Sequence, residues 1–206
     1  MSGMSDVHAA EVLTRVAVLV AAGAEFNDAF DRVQADNHQQ ATAAPSFDLD
    51  LLLTLGPLLP CKGKVPLTEH GVHDASSDRK HVAQWLARWR GCNLAVATGD
   101  VVVIDVDGVE GEATLKDVEA KFGELPNTLT VLTGRGRHLY FRAPAESNVR
   151  STTNLCGPKL DVRGHGGYVV SAGSLHAATG KRYVFADASV PVASLPAWVV
   201  DRLGAA

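Results

Sequence analysis

Apolar positions follow two regimes along the chain, helical spacing up to about residue 90 and short alternating or continuous apolar runs after residue 93. In the first regime Val12, Leu13, Val16, Leu19 and Val20 recur three and four residues apart. They predict a helix over residues 5–34, capped by Ser5 or Asp6 and bent or broken at Gly23. Residues 37–46, NHQQATAAPS, are small and polar with a proline, the signature of a linker. An apolar segment at 49–59 follows, and then a loop at 60–66 containing Lys64. Val82, Trp85, Leu86 and Trp89 share one side of an amphipathic helix predicted at 79–90, which places the tryptophans in a core rather than as base-stacking platforms.

The second regime predicts strands at 93–97, 101–106, 129–132, 137–142, 159–162, 167–171 and 182–185, with a helix over residues 110–122. Gly134-Arg135-Gly136 separates two strand-like runs and predicts a hairpin. Its returning strand would carry His138 and Tyr140 on one face, with arginines at the tip. The pattern is α/β (α+β), without an internal repeat. It divides into a helical N-terminal appendage with its linker, residues 1–45, and a main domain, residues 46–206.

With 206 residues, 46% of them hydrophobic, the chain can bury one substantial core, which fits one domain with an appendage better than two full domains. The apolar run at 16–24 is far shorter than the roughly 20 residues that cross a bilayer. Asp6 and Glu11 precede it where a signal peptide carries basic residues. The expectation is a soluble, intracellular (cytoplasmic) protein with no membrane partner. Cys61, Cys92 and Cys156 are odd in number and widely spaced, which argues against a disulfide framework and against a zinc knuckle.

The net charge of −4 conceals a segregation. Residues 129–185 hold eight Lys or Arg against two acids, a local balance of +6, so the remainder carries −10. A basic segment of this kind suits a polyanionic substrate such as a nucleotide or a primed template.

The acids matter most at 101–108, VVVIDVDG, where an apolar strand ends in Asp105 and Asp107. Strand alternation puts these two on one face and Val102, Ile104 and Val106 on the other. Mg²⁺ and Mn²⁺ take carboxylate oxygens and keep open positions for phosphate, as phosphoryl and nucleotidyl transfer require. An isolated pair of acids at a strand end is equally well a solvated surface. Two later segments change that reading, Thr133-Gly134-Arg135-Gly136-Arg137-His138 and Lys159-Leu160-Asp161-Val162-Arg163-Gly164.

A strand ending in DxD, then a strand with a histidine after small residues, then a strand with a third acid resembles the archaeo-eukaryotic primase superfamily. Within it the chain resembles the bifunctional DNA primase/polymerase (prim-pol) domain of plasmid and phage replication proteins. Further matching segments are the GKVP loop around Lys64, WLARWRGCNLAVATGD, GRHLYFRAP, LDVRGHGGYVVSAGSLH, GKRYVF and the closing SLPAWVVDRL, so the likeness spans about residues 50–203. It implies a primase-like catalytic core with an RRM-like sheet, and a template-dependent nucleotidyltransferase using two Mg²⁺ or Mn²⁺ ions.

By this resemblance Asp105, Asp107 and Asp161 are the metal-binding triad, and His138 contacts the phosphates of the incoming NTP or dNTP. Thr133, Gly134, Lys64, Ser174 and His176 would line the nucleotide site, and Arg135, Arg137 and Arg142 would meet the DNA template or primer. Arg163 shares a face with Asp161 if that segment is extended, and is placed equally to neutralise triphosphate or to pair with the acids. Lys159 and His165 read as surface or turn residues. The pattern departs from the family at Ser171-Ala172-Gly173, where many relatives carry paired prolines, and residues 1–45 have no counterpart. The helicase to which such domains are often fused is absent from the chain and is a candidate partner. Two alternatives stand beside this reading: a catalytically inactive nucleic-acid-binding replication module, and a DxD glycosyltransferase, which would need neither Asp161 nor the His138 hairpin.

Overall fold

The computed structural model describes residues 45–145, 148–155 and 157–204. The predicted helix at 5–34 and Cys156 lie outside them. Helix α1 (Leu49–Leu55) leads into strands β1 (Leu58–Lys62) and β2 (Val65–Pro66), a 3-10 turn (Gly71–Asp74), and helix α2 (Arg79–Arg88). Strands β3 (Asn93–Ala97) and β4 (Val101–Val106) follow, then helix α3 (Gly108–Phe122). The remainder is β5 (Thr130–Leu132), β6 (Arg137–Arg142), β7 (Leu160–Arg163), β8 (Tyr168–Val170), β9 (Val184–Phe185), β10 (Ala193–Ser194) and helix α4 (Ala197–Gly204).

One segment left unassigned by the sequence is resolved, and one expectation needs correction. The apolar segment 49–59 is not one element: it is a helix, capped by Asp48 accepting a hydrogen bond from the Leu51 amide, and then a strand. Pro57 cannot continue the helix, so the same apolar composition serves two geometries. The loop at 60–66 is instead a tight hairpin with Lys62 opposite Val65, and Gly63 takes the left-handed conformation that its turn requires (φ +61°). Helix α2 and the strands predicted from residue 93 on fall within one or two residues of their predicted ends, and β10 is a strand that the sequence pattern did not predict.

The strands form two sheets, a smaller one in the order β2-β1-β3-β8 and a larger one in the order β7-β4-β6-β5-β9. These neighbours are antiparallel, and β10 adds to β6 in parallel. Side-chain alternation in the larger sheet then decides what each face meets. Val102, Ile104, Val106, Leu139, Phe141, Leu160 and Val162 pack under α3 and α4 against Leu115, Val118 and Val199. Val101, Val103, Val131 and Tyr140 face Leu58, Leu94 and Val96 of the smaller sheet, and α1 and α2 close this second core with Leu52, Leu55, Val82 and Trp85. Trp85 is therefore a core residue, as its helical spacing predicts. Among the described residues no helix is long and apolar enough to cross a membrane.

Candidate active site

Along the face that the two sheets share, the apolar series Val101, Val103 continues into Asp105, and Tyr140 is preceded on its strand by His138. The core thus gives way to a polar rim at one end of β4. Register completes the arrangement: Asp105 lies directly opposite His138 of β6 on one side and Asp161 of β7 on the other. Like charges opposed across an antiparallel pair are destabilising unless something compensates them. Arg163, two residues on and hence on the same face, donates to Asp161 Oδ2 at 2.9 Å, and the Asn154 amide donates to Oδ1 at 2.9 Å.

Asp107 caps the start of α3 through its backbone carbonyl, which accepts from the Gly111 amide at 3.3 Å, while its side chain accepts no hydrogen bond from that helix. Its carboxylate faces Lys159 Nζ at 3.2 Å, and its amide donates to the Lys159 carbonyl at 3.0 Å. Lys159 and Asn154 both have left-handed backbones, φ +63° and +54°, unusual for residues with a Cβ, and the Lys159 amide donates to Asn154 Oδ1. One strained loop therefore grips both Asp107 and Asp161, and such strain persists where the surrounding structure over-determines it.

The β5–β6 hairpin forms another wall. Thr133 Oγ1 accepts from the Arg135 and Gly136 amides at 3.3 and 3.0 Å, which ties the turn. The turn lies so close to its neighbours that a Cβ on Gly136 would stand 2.0 Å from the Val106 carbonyl oxygen, and one on Gly134 would stand 2.4 Å from the His176 ring. Glycine is thus required at both positions for close approach. His176 is in turn held by Thr179, with Nδ1 2.9 Å from Oγ1.

These walls enclose a cavity of about 500 Å³. It brings together Asp105, Asp107, Asp161, His138, Arg163, Lys64, His176, Thr133 and Arg135. A second lobe of about 280 Å³ shares Asp105, His138, Arg163 and Lys64 and extends towards Tyr168 and Val170. Three other predicted residues stand elsewhere. Ser174 is fully buried, its hydroxyl bonded to the amide and carbonyl of Leu94 at 3.1 and 3.0 Å. Arg137 points to the opposite face of β6 and makes a bidentate pair with Glu112, both contacts 2.8 Å. Arg142 is opposite Val101 at the far end of β4, donating to the Thr54 carbonyl. Gly134 acts at the hairpin tip, through the space it leaves for His176.

Lys159 and Tyr183 line the cavity although sequence reasoning did not select them. The signal for Lys159 was its parity with Asp161 and Arg163; Tyr183 had only its place in GKRYVF. His165 is exposed and outside the cavity lining, as expected of a turn residue.

Burial depresses the His138 imidazole below its usual range; Asp105 pulls the other way, and Lys64 and Arg163 add to the depression. The ring is therefore neutral near pH 7, with Nε2 3.5 Å from Asp105 Oδ1 and Nδ1 without a hydrogen-bond partner among the described residues. Burial likewise lowers His176, helped by Lys64 and Arg135 and opposed by Asp107. The Tyr183 hydroxyl, buried near Asp105, is pushed well above its ordinary value and stays protonated. The cavity thus combines three carboxylates with Lys64, Arg135 and Arg163, charges of both signs that can interact with cations and with an anionic ligand.

No curated protein sequence matches the chain. The family model described as bifunctional DNA primase/polymerase, N-terminal, matches residues 39–198, a span that takes in both sheets and every side chain of the cavity. The chain accordingly belongs to the Prim-Pol family.

Proposed function

We propose that the protein is a template-dependent nucleotidyltransferase that makes or extends primers from NTPs or dNTPs. The 3′-hydroxyl of a primer or initiating nucleotide attacks the α-phosphate, a P–O bond forms there, and pyrophosphate leaves with the electron pair of the bond that breaks. The observation that carries this reading is the convergence of Asp105, Asp107 and Asp161 on one cavity that Lys64, Arg135, Lys159 and Arg163 also line.

The donor set fits Mg²⁺ or Mn²⁺, since hard carboxylate oxygens are what these ions take. Among the described residues no three acidic, His or Cys side chains form a ready-made cage, and Lys159 and Arg163 are engaged with two of the acids. Asp107 and Asp161 thus each face a cationic side chain, whose compensation of their charge a divalent ion would also supply. Asp105, Asp107 and Asp161 would hold two ions, which when bound lower the pKa of the attacking hydroxyl and stabilise charge on the attacking and leaving oxygens.

The remaining residues have tasks that follow from charge and position. Lys64, Arg163 and His176, which line the cavity with the acids, bind and orient the triphosphate. Neutral His138 offers a hydrogen bond to the phosphates without competing for the carboxylates as a cation would. Thr133 and Gly134 shape the hairpin, and exposed Arg135 at its tip meets the polyanionic backbone of primer or template. Ser174 shapes the site by holding its loop to Leu94. The setting proposed is plasmid- or phage-type replication in the cytoplasm, with a replicative helicase domain or protein as the supplier of unwound template. The family is the support for that setting.

An inactive binding module would gain nothing from two opposed acids, Asp105 and Asp161, at a sheet edge. A glycosyltransferase has no use for the third acid. The test is extension of a labelled primer on a DNA template with dNTPs and Mg²⁺ or Mn²⁺, comparing wild type with Asp105→Ala and Asp107→Ala. Templated extension that either substitution abolishes, with melting behaviour retained, supports the proposal. Wild type that binds DNA yet extends nothing with either metal overturns it.

A further inference from the structure

Lys64 and His176 lie on the same cavity wall but come from two unrelated pieces of chain, the β1–β2 hairpin and the loop after β8. Neither piece has regular structure at the point where it enters the cavity. Something must hold both at a fixed separation, and the first residue of β3 is placed to do so.

Asn93 is 95% buried and stands opposite Cys61 in the β1–β3 register. Its Nδ2 donates to the Gly63 carbonyl at 2.9 Å and to the Leu175 carbonyl at 2.8 Å, and its Oδ1 accepts from the Leu175 amide at 2.8 Å. Gly63 precedes Lys64, and Leu175 precedes His176. A single carboxamide therefore bonds the backbone next to each of the two cavity residues. The chemistry is specific to an amide, because two carbonyl oxygens need two N–H donors and the Leu175 amide needs an acceptor. A carboxylate there would face two carbonyl oxygens and repel both. Neighbouring Ser171 and Ser174 also fasten the second loop, but to Leu94, and neither bonds the hairpin.

We propose that Asn93 is a positioning residue for nucleotide binding: its carboxamide sets the Lys64 hairpin and the His176 loop at the spacing that a triphosphate requires. This rests on the reading of Lys64 and His176 as triphosphate contacts. Asn93 touches no ligand and acts through those two residues.

The experiment measures binding of an α,β-imido dNTP analogue with Mn²⁺ by calorimetry, alongside steady-state primer extension and thermal melting. Asn93→Ala is expected to weaken analogue binding about ten-fold, the equivalent of one well-formed hydrogen bond's worth of positioning, and to raise KM for dNTP far more than it lowers kcat. In a cycle with a Lys64→Ala, His176→Ala double variant the losses overlap, and adding Asn93→Ala to it weakens binding by no more than about two-fold further. Thr128→Ala removes a buried hydroxyl instead, one bonded to the Ala193 amide and the Tyr140 carbonyl away from the cavity, and is expected to lower the melting temperature while leaving analogue affinity unchanged. Should Asn93→Ala fail to fold, Asn93→Ser keeps one donor and is read in the same cycle. If Lys64→Ala weakens binding while the Asn93 variant binds as wild type does, or if the Asn93 loss simply adds to that of the double variant, the positioning role is refuted. If Lys64→Ala and His176→Ala both bind normally, the triphosphate assignment falls, and this inference falls with it.

Discussion

Gly136→Ala is a demanding perturbation of this site because it adds a single methyl group and no charge. The added Cβ would stand 2.0 Å from the Val106 carbonyl oxygen, 2.9 Å from the Gly108 amide nitrogen and 3.0 Å from the Val106 carbonyl carbon. All three neighbours are backbone, in the segment that runs from Asp105 to the start of α3. No flexible side chain is there to yield, and β4 is paired on both sides by β6 and β7. Reaching even 3.0 Å, the shortest distance real Cβ atoms tolerate, requires the hairpin and β4 to separate by a full 1.0 Å along the Val106 contact. Overpacking of that kind costs about 1–3 kcal/mol, which at 2–4 °C per kcal/mol lowers the melting temperature by roughly 2–12 °C in a chain of this size. The effect on chemistry should be larger, since displacement of reacting groups by about 1 Å costs on the order of 100-fold in rate. The assay is single-turnover primer extension at a temperature well below the variant's transition, with thermal melting in parallel. Gly99→Ala serves as the control, because the nearest atom to its Cβ is His165 Cδ2 at 3.8 Å. If Gly136→Ala melts and extends as wild type does, the close packing of hairpin on β4 does not hold in solution. If it melts lower but keeps full activity, that packing does not set the geometry of Asp105 and Asp107.

Two other substitutions test charges that the structure has sorted. Lys159→Ala removes the cation 3.2 Å from Asp107, both side chains being half exposed. Such pairs are worth about 0–1 kcal/mol, so Mn²⁺ binding followed by electron paramagnetic resonance without nucleotide should tighten by up to about five-fold; unchanged or weaker binding would show that Lys159 does not compete with the ion. Arg137→Ala should act on stability rather than on DNA, since its guanidinium is occupied by Glu112. A loss of about 1–2 kcal/mol in denaturant unfolding is expected for a part-buried bidentate pair, with the salt dependence of DNA binding unchanged; a shallower salt slope would return Arg137 to the DNA-contacting set.

How far the sequence reaches can be seen residue by residue. The strand positions of the DxD pair, the histidine of the hairpin and the third acid were legible because each sits at the end of, or within, an apolar run, while their grouping as one site came from the family resemblance. Alternation is a local property of extended backbone, and it placed Asp105 on the face away from Ile104 and His138 on the face of Tyr140 without any knowledge of partners. The helix over 79–90 was legible for the same reason at the helical period, and Trp85 went into the core accordingly. The break at Pro57 was readable in principle but was masked by the continuous apolar run 49–59 around it.

Composition, periodicity and motif order by themselves determined that this is an α/β chain with a divided charge, carrying two carboxylates on a strand end, a histidine on a hairpin and a third carboxylate on a later strand. Only the tertiary structure decided which of these meet. Register put Asp105 opposite both His138 and Asp161, and no local rule sets the register between strands that are far apart in sequence. The same non-local pairing carried Arg142 to the far end of β4, left Arg137 on Glu112 and put Ser174 against Leu94, while the left-handed backbone at Lys159 brought a residue that reads as a surface turn onto Asp107. Face is a consequence of the backbone of one residue and its neighbours, whereas proximity is a consequence of how whole strands stack, and the site depends on both.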